Sequence, residues 1–251
     1  MNDRRRQIND YIQIKKEVVL SELKELVPDV SEMTIRRDLE ALEQDGLIIR
    51  VHGGAKSIKS INLLVEDVFS KRSAVNIEKK QAIGEKAAGY IVAENSIYLD
   101  SGSTTMALAQ RIPDKRLLIS TSGLNIALEL IKLQNSTINI IGGELNKSSI
   151  SMAGPQAVGS IANLNIDIAF IAATAFSMDG GFTCGTVYDS ELKHRVLKKA
   201  RRRIVLMDST KVGKTMPYTF AWPEEIDMLI TDEELPTEIR EYLQNRGVEV
   251  V

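Results

Sequence analysis

The ten residues Val30-Ser31-Glu32-Met33-Thr34-Ile35-Arg36-Arg37-Asp38-Leu39 constrain the fold most tightly. Ser31 suits the N-cap of a helix, because its hydroxyl can accept a bond from an unpaired N–H of the first turn. Ile35, Leu39 and Leu42 then recur at i, i+4 and i+7, which makes one buried stripe. Met33, Thr34, Arg36 and Arg37 are left pointing elsewhere, near the helix start. Gly46 after Asp45 suits a left-handed stop. Alone, the stretch fits an amphipathic surface helix with two solvated arginines equally well. Its neighbours decide between the two.

Before it, Arg5 to Lys15 reads as a first helix with Ile8 and Ile12 inward, and Val18-Val19-Leu20 as a short apolar entry. Ser21 is expected to cap a second helix with Leu23, Leu26 and Val27 buried, which Pro28-Asp29 breaks. After it the period changes. Leu47-Ile48-Ile49-Arg50-Val51 is β-rich and runs into His52-Gly53-Gly54, where two glycines permit a tight hairpin. Three helices followed by a β-hairpin make a winged helix-turn-helix, whose last helix meets base edges through its N-terminal residues. Arg36 and Arg37 suit bidentate contact with guanine or phosphate, and Thr34 suits a phosphate or a thymine methyl. Arg50, His52 and the backbone at Gly53 would lie near phosphates or the minor groove. Asp38 would be costly against DNA; it either orients a neighbouring arginine or faces solvent. One of the two arginines could instead be spent on Asp38 or Glu40.

Charge gives this reading little help. The chain carries a net charge of −2, and its first 60 residues balance eleven basic against eleven acidic side chains. The cations are grouped at Arg4 to Arg6, at Arg36 with Arg37, and at Arg50, His52, Lys56 and Lys59. No apolar run spans a bilayer, and no apolar segment follows the basic N-terminus, so the expectation is a cytoplasmic chain without a membrane partner. The single cysteine, Cys184, has no companion for a disulfide or a zinc cluster. Neither a metal nor a cofactor is expected.

Residues 1–58 therefore read as a DNA-binding domain and 59–75 as a linker with one apolar stretch, Leu63-Leu64-Val65. Residues 76–251 read as a second domain, which opens with a helix capped by Asn76. From Ser96 onward apolar strands alternate with helices, the pattern of a mainly parallel α/β sheet covered on both faces. Ligands of such sheets bind beyond the strand C-termini. Three loops lie there: Asp100-Ser101-Gly102-Ser103-Thr104-Thr105, Gly180 to Gly185, and Asp208 to Lys214. The first offers N–H groups and hydroxyls to a phosphate, though a plain strand-to-helix turn would look the same. It is neither a P-loop nor a dinucleotide fingerprint. Together the loops favour a small anionic ligand with hydroxyls.

Val-Ser-x-x-Thr-Ile-Arg-Arg-Asp-Leu at Val30 to Leu39, then Leu-Glu-x-x-Gly-Leu-Ile-x-Arg-x-His-Gly-Gly-Ala at Leu42 to Ala55, resembles the DeoR family of bacterial transcriptional regulators. The resemblance continues through Asp100-Ser-Gly-Ser-Thr-Thr, Ile141-Gly-Gly-Glu, Gly181-Phe-Thr, Glu191-x-Lys193 and Asp208-Ser-Thr-Lys211. Ser120-Thr121-Ser122-Gly123 departs from the family's Thr-Asn. The resemblance implies a sensor domain similar to ribose-5-phosphate isomerase. It implies a repressor of a sugar or polyol catabolic operon, bound to double-stranded operator DNA as a homodimer or higher homo-oligomer. Its DNA-contacting residues would be Ser31, Met33, Thr34, Arg36, Arg37, Arg50, His52 and Gly53. Its phosphorylated sugar or polyol effector would meet Asp100 through Thr105, Thr183, Glu191, Lys193 and Lys211. The competing reading is an enzyme, a sugar-phosphate isomerase or deaminase with an appended N-terminal domain. Asp100, Glu191 and Lys211 would then supply acid–base groups, while His194 reads as a polar helix-face residue.

Overall fold

The computed structural model describes residues 3–15, 17–45, 47–51, 53–57 and 66–251. Gly46, His52, Lys59 and the stretch Leu63 to Val65, all singled out above, lie outside the described residues. The chain forms two compact units, residues 1–65 and 66–251.

In the smaller unit α1 (Asp3–Lys15) and β1 (Glu17–Val19) precede α2 (Leu20–Leu26), α3 (Glu32–Gln44), β2 (Ile48–Val51) and β3 (Gly54–Ser57). The stripe read from the sequence is the core: Ile8, Ile12, Leu23, Ile35, Leu39 and Leu42 are buried together with Val18, Ile48 and Ala55. Ser21 does not cap α2. Val19 holds the N-cap position, and the Glu22 carboxylate accepts its N–H at 3.0 Å. Val18 and Val19 belong to β1, which pairs antiparallel with β3, and β3 pairs with β2 to complete the wing. Gly54 lies where β1 crosses β3, and a Cβ there would overlap the Val18 carbonyl.

The larger unit starts earlier than the expected linker end. Residues 66–75 pack with it and include a helix, α4 (Phe69–Ser73). Helix α5 (Ile77–Ala88) follows. Asn76 stands at its N-cap position but does not cap it: at φ +54° its side chain turns away and donates to Asp208 Oδ1 at 3.3 Å and Thr210 Oγ1 at 2.9 Å. Then come β4 (Ser96–Leu99), α6 (Ser103–Ala109), β5 (Leu118–Thr121), α7 (Leu124–Leu130) and β6 (Thr137–Ile140). A small hairpin, β7 (Glu144–Asn146) with β8 (Ser151–Ala153), leads to α8 (Pro155–Ile161) and β9 (Ile166–Ala172). After β10 (Ala175–Ser177) and β11 (Gly181–Cys184) come α9 (Val187–Lys199), β12 (Ala200–Leu206) and β13 (Tyr218–Ala221). The chain closes with β14 (Met228–Ile230), α10 (Thr237–Gln244) and β15 (Glu249–Val250).

Seven strands form one sheet in the order β15-β14-β12-β9-β4-β5-β6, and every neighbouring pair is parallel. Alternate side chains serve opposite faces. Ile168 and Phe170 enter one core with Ile97, Leu99, Ile204 and Leu206, while Ala169 and Ile171 enter the other with Tyr98, Val205 and Leu229. Burial on both faces explains the near-continuous apolar strands. One expectation fails. Residues 181–184 are no loop but strand β11, held antiparallel between β10 and β13.

Candidate DNA-binding surface and effector cleft

Helix α3 starts as expected. Ser31 Oγ accepts the Thr34 N–H at 3.2 Å, and the two hydroxyls lie 3.0 Å apart. Met33, Arg36 and Arg37 are exposed on its outer face. Neither arginine has an ion-pair or hydrogen-bond partner among the described residues, so neither is spent on Asp38 or Glu40. Both can meet an incoming duplex. Arg50 differs, because its Nε donates to Glu43 at 2.7 Å and Glu40 lies 3.9 Å away. Gly53 takes φ +80° just before β3, a left-handed conformation that favours glycine.

Asp38 neither faces solvent nor orients Arg36 or Arg37. It is buried, and it accepts Arg4 Nε at 2.6 Å and Arg5 Nε at 2.8 Å from α1. Burial works to raise its pKa, and the two arginine bonds outweigh this and hold the carboxyl below its ordinary range.

The second site is a cleft in the larger unit. It lies at the C-terminal ends of β4, β9 and β12, where ligands of parallel sheets bind. Ser101, Gly102, Ser103 and Thr104 from the loop after β4 line it, with Ala172 to Thr174 after β9 and Lys211 after β12. Gly102 is needed there, since a Cβ would lie 2.8 Å from the Ala172 side chain. Lys193 on α9 lines the cleft from below, and its ammonium bonds to Asp100 Oδ2 and, at 2.9 Å, to the Ala172 carbonyl. Burial opposes that charge, and the Asp100 carboxylate more than offsets it, so the Lys193 pKa is raised.

Four of the ten expected effector residues stand apart from this lining. Asp100 is buried beneath it, with Oδ2 also accepting the Ala172 N–H at 3.0 Å. Thr105 is fully buried and donates to the Gly102 carbonyl at 3.0 Å, closing the turn. Thr183 is fully buried in β11, bonded to the Ala175 carbonyl and the Met216 N–H. Glu191 is exposed, because residues two apart on a helix face different ways. The α9 acid that shares the cleft with Lys193 is Asp189, one turn before it.

Glu66, Arg72, Ser149 and Asp189 complete the cleft and were not anticipated. Arg72 matters most. One of its amino groups pairs with Glu66, while Nε and the other amino group are buried with no partner among the described residues. Its carbonyl accepts Lys80 Nζ at 2.5 Å, and the Val75 carbonyl accepts the same ammonium. Cys184, nearby in sequence, is buried and its thiol is pushed up to about 12, so it is inert. His194 sits on the helix face with Nδ1 3.3 Å from the Phe220 carbonyl, as a polar surface residue would. Among the described residues no group of acidic, histidine or cysteine side chains could hold a metal, and no helix is long and apolar enough to cross a membrane.

A winged helix-turn-helix joined to a parallel-sheet unit with a cation-lined cleft defines a DNA-binding protein with a ligand sensor. Comparison with known proteins agrees. Residues 4–61 match the DeoR-like helix-turn-helix domain, and residues 75–233 match the DeoR C-terminal sensor domain. The chain belongs to the DeoR family of transcriptional regulators. It is 34 % identical to the HTH-type transcriptional regulator GolR of Listeria innocua, covering 99 % of this chain and 97 % of that one. It is 33 % identical to the regulator GlpR of Haloferax volcanii, over 88 % and 86 % of the two chains. A putative aga operon transcriptional repressor of Escherichia coli O157:H7 is 32 % identical over 100 % of this chain and 93 % of its own. A D-ribose-5-phosphate isomerase structure aligns with 54 % of each chain at 17 % identity and a TM-score of 0.41, a likeness too distant to carry an argument about function.

Proposed function

We propose that this regulator is a homo-oligomeric repressor of a sugar or polyol catabolic operon. A phosphorylated sugar or polyol in the cleft of residues 66–251 controls its grip on DNA. Arg72 carries this reading: two of its buried guanidinium nitrogens have no acceptor among the described residues, and the residue lines a cleft with Lys211, Ser101, Ser103, Thr104 and Ser149. Buried polar groups normally have partners, so an arginine edge of this kind suits an anionic ligand. The hydroxyls suit the remainder of a sugar or polyol phosphate. Arg36 and Arg37 supply the DNA contacts, with Ser31, Met33, Thr34 and the wing around Gly53 beside them.

The isomerase or deaminase reading loses support from the same geometry. A general base must reach a substrate carbon, yet Asp100 is tied up beneath the cleft and Glu191 faces solvent. The related regulators point away from an enzyme too.

The test is binding of the purified chain to its own upstream DNA, at stated salt, with a panel of sugar phosphates. One compound that changes specific binding, and loses that effect in Arg72→Ala, is the expected result. Turnover of ribose-5-phosphate or glucosamine-6-phosphate, with DNA binding indifferent to every compound, would refute the proposal.

A further inference from the structure

The recognition helix carries acids on both of its flanks, and each acid holds an arginine from another element. Successive residues on α3 turn by about 100°. Arg36, Glu40 and Glu43 therefore follow one edge, and that edge meets the wing, where Glu43 and Glu40 take Arg50. Thr34 and Asp38, one turn or about 6 Å apart, follow the opposite edge. That edge meets α1, where Asp38 takes Arg4 and Arg5. The exposed face with Met33 and Arg37 lies between.

The two flanks differ in charge. On the wing side Arg36 and Arg50 stand with two carboxylates, Glu40 and Glu43, and Lys56 is paired with Glu17 at 3.0 Å, so charges balance there. On the α1 side two arginines share one carboxylate, which leaves a surplus positive charge. That carboxylate is nearly inaccessible, with 2 % of its side chain exposed, whereas Arg4 and Arg5 keep 34 % and 35 %. The surface there presents guanidinium and hides its counter-charge. Each arginine is held through Nε, which orients a planar cation beside the Thr34 end of the recognition helix. Planar, oriented guanidinium groups suit phosphate oxygens, and phosphate contacts fix the register of a protein on its duplex.

We propose that Arg4 and Arg5 form a phosphate clamp for duplex DNA on the α1 flank of the recognition helix. Asp38 is the positioning residue that sets both. The clamp places the sugar–phosphate backbone against α1 and makes Arg50 of the wing a lesser contributor.

The test uses the full chain and a mixed-sequence duplex, so that only backbone contacts are read. Because a lone buried carboxylate would destabilise the unit, the arginines are replaced together with their partner, as Arg4→Gln, Arg5→Gln and Asp38→Asn. The slope of log Kobs against log salt should flatten by about 1.8, the loss of two phosphate contacts at about 0.9 each. Arg50→Gln should change the slope by less than half as much. A folded triple variant with the slope of the unaltered chain overturns the proposal. Phenylglyoxal modification of the unaltered chain tests it without mutation. The duplex should protect Arg4 and Arg5, and undiminished reactivity at both positions refutes the clamp.

Discussion

Replacing Asp100 by Asn separates two roles that one residue could have, ligand contact and buried support. Asp100 and Lys193 form an ion pair in which only 3 % and 7 % of the side chains remain exposed. The variant leaves the Lys193 ammonium in the interior with the Ala172 carbonyl and a neutral amide. Stranding one charge of a buried pair costs about 3–5 kcal/mol. At about 2–4 °C per kcal/mol for a unit of this size, the melting point should fall by roughly 6–20 °C. Trp222, the single tryptophan, lies in the larger unit, so its fluorescence reports the relevant transition. The double variant Asp100→Leu with Lys193→Met should recover most of the loss, since an apolar pair replaces the ionic one without leaving a bare charge. Because the Lys193 pKa is raised above 10.5, its share of the stability is complete below that value and is lost only as the pH rises through the higher folded value. The difference between the two proteins therefore persists at neutral pH. In acid, Asp100 takes up a proton early because burial pushes its carboxyl upward, and the difference narrows there. A melting point within about 2 °C of the unaltered protein, together with lost effector response, would refute the reasoning and return Asp100 to the ligand.

Four further outcomes are expected. Arg37→Ala should weaken specific DNA binding by about 1–3 kcal/mol if it reads a base, with little effect on mixed-sequence DNA, and competition titration measures both. Arg72→Ala removes a charge-assisted contact worth about 1.5–3 kcal/mol, so calorimetry should find the effector bound roughly 10- to 150-fold more weakly. Glu66→Gln should act oppositely and tighten binding by removing a negative charge beside Arg72; unchanged or weaker binding would show that Glu66 does not oppose the ligand. Asp38, with its pKa depressed by Arg4 and Arg5, stabilises above its ordinary 3.8 and loses this as the pH falls through the lower folded value. Acid titration followed by circular dichroism should therefore find Asp38→Asn less stable at neutral pH, with the deficit vanishing at the acid end.

What the sequence made legible follows from how local each signal is. Ser31 and the Ile35, Leu39, Leu42 stripe state their helix within a dozen residues, and the apolar strands from Ser96 onward announce a parallel sheet by their even burial. The antiparallel trio β10-β11-β13 was hidden because Gly180, Gly181 and Gly185 read as turn residues. Gly181 instead takes φ +67° where a Cβ would press on the Ala221 carbonyl. The ion pairs of Asp38 span 33 and 34 residues, beyond any helical spacing rule. Arg72 lies inside a stretch whose weak periodicity resembles a linker, and nothing local marks an arginine whose cleft neighbours, from Ser101 to Lys211, are some 30 to 140 residues away. Asp189, not Glu191, reaches the cleft for a reason that helical spacing already contains. On a helix Lys193 shares its side with the residue four before it, not two.

The pairing of Arg72 with Glu66 gives the cleft an internal competitor. The carboxylate is tied to the arginine by a short piece of chain, so its effective concentration is of millimolar order or higher. An anion at the remaining Arg72 nitrogens would stand beside that carboxylate and be repelled by it. A chloride or acetate ion offers one charge and no further contacts, and so gains little against that repulsion. A phosphate monoester brings close to two charges and three acceptor oxygens, and its hydroxylated remainder can reach the serine and threonine side chains around it. On the proposed reading the cleft thus screens by the carboxylate beside its arginine: common small anions of the cell gain too little against Glu66, and a phosphorylated ligand gains enough to register as a signal.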